Sequence, residues 1–292
     1  MKHLIFFLLF ILLISWLSGC AQVPQADIAA TTLPVYEFTE ALCAGTGLSV
    51  TRLVTENVSC LHDYTLQTSQ LRAIQGAKAV VISGAGLEEF LEDALTGAET
   101  LIDASQGLAL LEGEAHHSHD HDHGHVHQED PHIWLSPACA IHMAQQICQG
   151  LCQAFPGHAE EFQKNLPALL ARLDALQAYG DEKLKELSCR ELITFHDGFG
   201  YLAESFHLTI LEAVEEESGS EASAGQLIHL CELVRAHSLP AVFTERSGAA
   251  AAAGIISRET GVKCFTLDMA MAGDSYFDAM YHNINTLLEA LL

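Results

Sequence analysis

The chain has 292 residues, 49% of them hydrophobic, so it can bury the cores of two lobes that share one function. Its 13 Lys and Arg residues stand against 38 Asp and Glu residues, which gives a formal net charge of −25 with His neutral. This negative charge favours solubility. It repels phosphate backbones, which excludes nucleic acid as a partner. It also attracts cations, which favours a cationic ligand.

The N-terminal segment has the pattern of a bacterial export signal. Lys2 precedes an almost wholly apolar run to Trp16, which is too short to span a membrane. Small residues then stand before Cys20, which resembles the lipoprotein signal that is cleaved to leave a lipidated cysteine. We predict a signal peptide at residues 1–19, a lipid-anchored tether at residues 20–26, and a mature protein on the outer face of the cell membrane or in the periplasm. The alternative is an ordinary secretory peptide with an incidental cysteine.

The N-terminal half alternates predicted strands with predicted helices, which is typical of a largely parallel sheet flanked by helices. Alternating or continuous apolar runs with β-branched residues indicate the strands. The predicted strands cover residues 27–32, 48–54, 79–82 and 100–103, and the predicted helices cover residues 34–43, 67–75 and 87–95. Ser136 and Pro137 then open a further helix to residue 154, as N-cap and first-turn residue.

The loop at residues 114–130 breaks all periodicity and is rich in histidine. Such a tract does not form a packed core, and we interpret it as an auxiliary loop that binds metal weakly. Its histidines are His116, His117, His119, His121, His123, His125 and His127.

A long helical pattern at residues 158–188 divides the chain. Its stripe of leucines contains one proline, Pro167, which is expected to kink the helix. At 1.5 Å per residue such a helix is about 45 Å long and can bridge two lobes. We therefore predict an α/β protein with two similar lobes, at residues 27–157 and 189–292, each a mostly parallel sheet flanked by helices and bridged by one long rigid helix.

The alternation of strands and helices resumes after the long helix. The predicted strands cover residues 192–195, 208–211, 241–244 and 262–267, and the last helix covers residues 276–291. Clefts between two lobes are favoured ligand sites, so we expect the ligand between these halves.

Eight cysteines follow Cys20, and an even count in an exported chain permits disulfides without fixing their pairing. Cys189 and Cys264 each lie close to a predicted strand of the C-terminal half and form the pair that we favour. Cys148 and Cys152 lie four residues apart on one helix face and are interpreted as buried thiols. The cysteines lack the paired spacing of a structural zinc site, so we assign them no chemistry.

Histidines and a carboxylate stand at the ends of predicted strands or beside them. His62 comes a few residues after the second strand, His196 directly follows the fifth, and Asp268 closes the last. His132 stands in the segment DPHIWLSP, just before a helix. A lone histidine is usually structural, but four ligand-type residues at such positions form a pattern, because open α/β sheets bind ligands at the carboxyl ends of their strands. Three imidazoles and a carboxylate suit a borderline ion such as Zn²⁺.

The whole pattern resembles one known family. The features of the chain follow the order that is found in the zinc-binding substrate-binding proteins of ABC transporters. In sequence these features are the lipoprotein cysteine, the first His, the His-rich loop, DPHIWLSP, the long helix, HDGFGYLAESFHL and a late LD. These proteins belong to the zinc/manganese cluster of solute receptors. The resemblance implies that His62, His132 and His196 are imidazole ligands of Zn²⁺ and that Asp268 is the carboxylate ligand. Manganese-selective relatives tend to have Glu where this chain has His196, which favours zinc.

The resemblance implies a receptor and not an enzyme. A monomer would capture Zn²⁺ in the interlobe cleft and deliver it to the membrane permease and ATPase of an ABC importer. The alternatives are a manganese or iron receptor on the same scaffold, a zinc-dependent hydrolase, and an adhesin lipoprotein. Four protein ligands and the lack of an H-E-x-x-H motif disfavour the hydrolase. Glu245 could replace or support Asp268 as the carboxylate, or it could cap the helix that follows.

Overall fold

The structure is a computed structural model that describes residues 25–56, 61, 64–112, 129–214, 222–246 and 250–292. The predicted signal peptide, Cys20, His62 and the seven histidines of the predicted loop therefore lie outside the described residues. No helix within these ranges is long and apolar enough to cross a membrane.

The N-terminal half forms a four-stranded parallel sheet in the order β2-β1-β3-β4. Its strands are β1 (Ile28–Ala30), β2 (Val50–Arg52), β3 (Ala79–Ile82) and β4 (Leu101–Asp103). Its helices are α1 (Leu33–Cys43), α2 (Thr68–Gly76) and α3 (Glu92–Leu95). The helix predicted at residues 87–95 is instead a 3₁₀ turn at Glu89–Leu91 followed by the single turn of α3.

Two helices follow this sheet. The first, α4 (Pro137–Ala154), has the predicted bounds and the predicted N-cap, because the Ser136 hydroxyl accepts a hydrogen bond from the backbone N–H of Cys139. The second, α5 (Ala159–Leu184), is the predicted long helix; it has 26 residues and continues through Pro167.

The C-terminal half forms a second four-stranded parallel sheet, in the order β6-β5-β7-β8. Its strands are β5 (Glu191–Thr194), β6 (Thr209–Ala213), β7 (Ala241–Glu245) and β8 (Lys263–Leu267). Its helices are α6 (Gly200–Ser205), α7 (Ala224–His237), α8 (Ala250–Thr260) and α9 (Tyr276–Leu291). The predicted architecture of two parallel sheets bridged by one long helix is therefore confirmed.

A continuous hydrophobic core lies between the two sheets and is built around α5. It includes Phe38 of α1, Ile147 of α4, Leu173 of α5 and Leu287 of α9, all fully buried. Accordingly, α5 packs against α1, α4 and α9. A large separation of the two halves would expose this shared apolar surface to water, so the fold favours modest movements at the cleft.

Each sheet also buries its opposite face. In β1, Ile28 and Ala30 belong to the shared core, whereas Ala29 belongs to a smaller core with residues of α2. In β5, Leu192 belongs to the shared core, whereas Ile193 packs with residues of α7 and α8. This alternation follows from the two-residue period of a strand, and it explains why strands buried on both faces appear as continuous apolar runs.

The favoured disulfide between Cys189 and Cys264 is wrong. Both thiols are free, as are the other cysteines in the described part of the chain. Strand β7 lies between β5 and β8, and two strand spacings of about 4.8 Å exceed the Cα separation of about 7 Å that a disulfide can bridge. Cys148 is buried and Cys152 half-buried, and burial raises the pKa of Cys148 to about 11, which keeps this thiol protonated.

Candidate metal centre

His132 lies on a rigid, buried turn that leads into α4. The three residues after it form a 3₁₀ turn whose side chains are fully buried. Oδ1 of Asp130 accepts the backbone N–H of His132 at 2.9 Å and lies 2.8 Å from Nδ1 of its ring. Such a carboxylate fixes the orientation of a metal-binding histidine and directs the opposite ring nitrogen toward the metal. The DPH segment thus supplies both a candidate ligand and the group that orients it.

His196 lies beside His132, although the two residues come from opposite halves of the chain. It lies two residues after the end of β5, and its ring centre lies 5.2 Å from that of His132, with the ring planes at 85°. Asp197 places a carboxylate oxygen 3.9 Å from Nδ1 of His196. Two of the predicted imidazole ligands are therefore brought together at the junction of the two halves.

Gly198 makes room for both imidazoles. A Cβ atom at this position would lie 2.6 Å from the methyl carbon of Met269, 2.8 Å from Cδ2 of His196 and 2.9 Å from Cε1 of His132. These separations are shorter than van der Waals contact, so a side chain here would displace the rings. The role of this glycine was missed in the sequence, where the only signal is its position two residues after His196.

Trp134 joins the His132 turn to the segment that follows β8. Its indole N–H donates to the carbonyl of Met269 at 2.7 Å, and its own carbonyl accepts the Tyr276 hydroxyl at 2.8 Å. Burial raises the pKa of Tyr276, which keeps this hydroxyl a donor. The residue after Asp268, in the C-terminal half, is therefore held against the His132 turn of the N-terminal half.

Asp268 directly follows β8 and is fixed through its backbone. The side-chain amide of the buried Asn283 accepts the N–H of Asp268 and donates to its carbonyl, each at 2.7 Å. The carboxylate accepts the backbone N–H of Ala270 at Oδ1, at 2.8 Å. Its Oδ2 lies 3.2 Å from the guanidinium of Arg246, a contact that the sequence did not reveal.

The two ends of the histidine-rich loop meet beside this site. Glu112 and Glu129 form an antiparallel bridge, and the N–H of Asp130 donates to the carbonyl of Leu111 at 3.0 Å. The N–H of Leu111 in turn donates to the hydroxyl of Tyr201 at 2.9 Å. The Glu112–Glu129 bridge therefore lies three residues before His132 in the sequence.

The structure assembles the predicted ligand set only in part. Among the residues that it describes, no three His, Cys, Asp or Glu side chains form a group that could hold a metal ion. His132 and His196 lie in contact, Asp268 is paired with Arg246, and the half-buried Glu245 ends β7. His62 lies outside the described residues, so the four-ligand site stays a prediction.

Known proteins resemble the chain over both halves. The sequence profile of ZnuA, described as zinc-uptake complex component A, periplasmic, matches residues 28–290. A putative metal-binding protein of Treponema pallidum is 29% identical over 284 residues, which cover 94% of this chain and 89% of that protein. The zinc-binding lipoprotein AdcA of Streptococcus pneumoniae is 30% identical over 294 residues, which cover 94% of this chain and 58% of AdcA. A crystal structure of ZnuA, 27% identical, matches with a TM-score of 0.78 over 91% of this chain and 100% of that one.

These similarities confirm the resemblance to the zinc-binding substrate-binding proteins. The family works outside the cytoplasm with the permease and ATPase of an ABC importer, which confirms an extracytoplasmic receptor with zinc as its cargo. It also confirms that the chain is not an enzyme, because the family's task is to bind a solute. Since the profile spans both sheets and the helix between them, the chain belongs to the ZnuA family of periplasmic zinc-uptake components.

Proposed function

We propose that this receptor captures Zn²⁺ in the cleft between its two halves with His62, His132, His196 and Asp268. The observation that carries the proposal is the edge-to-face contact of the His132 and His196 rings, whose centres lie 5.2 Å apart. Neutral imidazoles bind Zn²⁺ at about 2.0–2.1 Å, so two rings in contact need little movement to share one ion.

The chemistry of the donor set favours zinc over manganese. Imidazole nitrogens suit Zn²⁺, whereas Mn²⁺ prefers carboxylate and carbonyl oxygens. The net charge of −25 raises the local concentration of any cation, so it speeds capture without selecting the metal. Selection therefore rests on the imidazoles. Glu245 is the alternative carboxylate should Asp268 not bind the ion.

We further propose that lipidated Cys20 anchors a monomeric receptor to the membrane. After removal of residues 1–19, residues 20–26 would tether the first lobe, at residues 27–157. The helix at residues 158–188 would link this lobe to the second one. The similarity to AdcA, which is named a lipoprotein, supports the anchor. The histidine-rich loop would bind additional zinc weakly beside the cleft.

The test is a zinc titration against a fluorescent chelator, with the double variant H132A/H196A. The wild-type protein is expected to bind one zinc ion tightly, and the double variant to bind it at least about 100-fold more weakly, because two of four ligands are lost. The matched control is H229A/H282A, which removes two exposed histidines from α7 and α9. Competition by Mn²⁺ is expected to be weak. Wild-type affinity in H132A/H196A would remove the assignment.

A further inference from the structure

The carboxylate of Asp268 has a fixed cation beside it. Its Oδ2 lies 3.2 Å from Nη2 of Arg246, and its Oδ1 accepts the N–H of Ala270, so both oxygens are engaged. The Asp268 side chain is only 15% exposed, whereas the Arg246 side chain is 60% exposed. The carboxylate is therefore held in place, while the guanidinium reaches it from solvent.

The register of the sheet creates this ion pair. Strands β7 and β8 are parallel neighbours, and Glu245 lies opposite Leu267 at their carboxyl ends. Arg246 and Asp268 are the next residues on the two strands, so the same register places them opposite each other. The two residues are therefore adjacent because of the strand register, and their proximity does not depend on the conformation of a long loop.

We propose that Arg246 competes with the zinc ion for Asp268 and thereby limits zinc affinity and speeds zinc release. This inference rests on the proposed function, because it requires Asp268 to be a zinc ligand. A divalent cation and a guanidinium beside one carboxylate repel each other, and arginine cannot relieve this repulsion by losing its proton. Zinc binding must therefore push Arg246 toward solvent, and its exposure permits this movement. When zinc leaves, the guanidinium can return to Oδ2.

Such a competitor suits a receptor that must give up its cargo. Three neutral imidazoles and one carboxylate leave a bound Zn²⁺ with one uncompensated positive charge, and Arg246 adds a second nearby. Each transfer to a permease requires dissociation, so a cation that recaptures the carboxylate lowers the barrier to release. Arg246 is a positioning and affinity-setting residue in this scheme and not a ligand.

The test compares R246Q, R246K and D268N in equilibrium titration and in stopped-flow dissociation with zinc and a fluorescent chelator. R246Q is expected to tighten zinc binding about twofold to fivefold, the range that a partly exposed ion pair contributes, and to slow dissociation correspondingly. R246K keeps the charge and is expected to stay close to the wild type. The matched control R258Q removes an exposed arginine from α8 and is expected to change neither quantity.

A double-mutant cycle separates this inference from the proposed function. D268N is expected to weaken zinc binding at least about tenfold, and R246Q is expected to have no further effect in the D268N background. If D268N weakens binding but R246Q leaves affinity and dissociation unchanged, or weakens binding, the inference on Arg246 is overturned and the proposed function stands. If H132A/H196A retains tight binding, the proposed function itself fails.

Discussion

The two sides of the candidate zinc site differ in how firmly their side chains are held. On one side, His132 is buried, and Asp130 engages both its backbone N–H and its Nδ1. On the other side, Asn283 fixes the backbone of Asp268, but the carboxylate pairs with the exposed guanidinium of Arg246. His132, one of the imidazoles proposed to select the metal, is thus pre-organised, whereas the carboxylate that supplies the negative charge remains open to competition.

The largest effect is expected where one residue supports both imidazoles. Gly198→Ala places a Cβ within 2.9 Å of ring atoms of both His132 and His196, so the rings must move apart. We expect a loss of zinc affinity of about 100-fold, comparable to the loss of a ligand, with the fold retained. Chelator competition measures the affinity, and circular dichroism checks the fold. The control is Gly157→Ala, where a Cβ meets no atom within 4 Å. Equal affinities for the two variants would show that the rings are not held by this close approach.

Asp130→Asn tests the orientation of His132 alone. The amide cannot supply the negative charge that orients the ring, so zinc affinity is expected to fall about 10-fold to 100-fold. The same chelator titration applies, with Asp93→Asn on α3 as an exposed control. Unchanged affinity in Asp130→Asn would mean that the buried turn fixes His132 without help from this carboxylate.

The effect of pH on stability tests the environment of a buried carboxyl group beside the N-terminal sheet. Glu88 is buried and accepts hydrogen bonds from the Thr31 hydroxyl and from the N–H groups of Ser83 and Gly84. Two residues after Thr31, the N–H of Leu33 donates to the carbonyl of Met271, in the segment that follows Asp268. Burial raises the pKa of Glu88 from 4.5 to about 7.

The folded protein therefore holds the proton of Glu88 up to about pH 7, whereas the unfolded chain releases it near pH 4.5. The contribution of Glu88 to the free energy of unfolding is thus full below pH 4.5 and falls as the pH rises to about 7, by about 3 kcal/mol. Denaturant unfolding from pH 4.5 to 7.5 is expected to show this fall in the wild type and in the exposed-site control Glu89→Gln, but not in Glu88→Gln. An identical pH dependence in all three proteins would contradict the raised pKa.

Local patterns predicted most of the fold. The bounds of β3, α4 and α9 agree with the sequence because a buried apolar run, an N-cap before proline and a strong helical period act within a few residues. The order of the strands could not be inferred in this way. The error at Cys189 and Cys264 arose there, because closeness to a strand in sequence does not tell which strand lies between them.

The site shows the same limit. His132 and His196 were identified from their settings, and the fold places them in contact. The ion pair of Arg246 with Asp268 and the close approach at Gly198 exist only once separate segments are adjacent in space. Residue type and spacing therefore predicted the candidate ligands. The groups that orient these ligands, leave room for them or compete for them could be identified only from the tertiary structure.

The most direct test of the zinc site is the position of the ion itself. Anomalous diffraction at the zinc absorption edge, from crystals of the zinc-loaded protein, is expected to give a strong peak at about 2.0–2.1 Å from ring nitrogens of both His132 and His196. A carboxylate oxygen of Asp268 is expected in the same coordination sphere, with Arg246 turned toward solvent. A dominant peak that contacts neither imidazole would contradict the account.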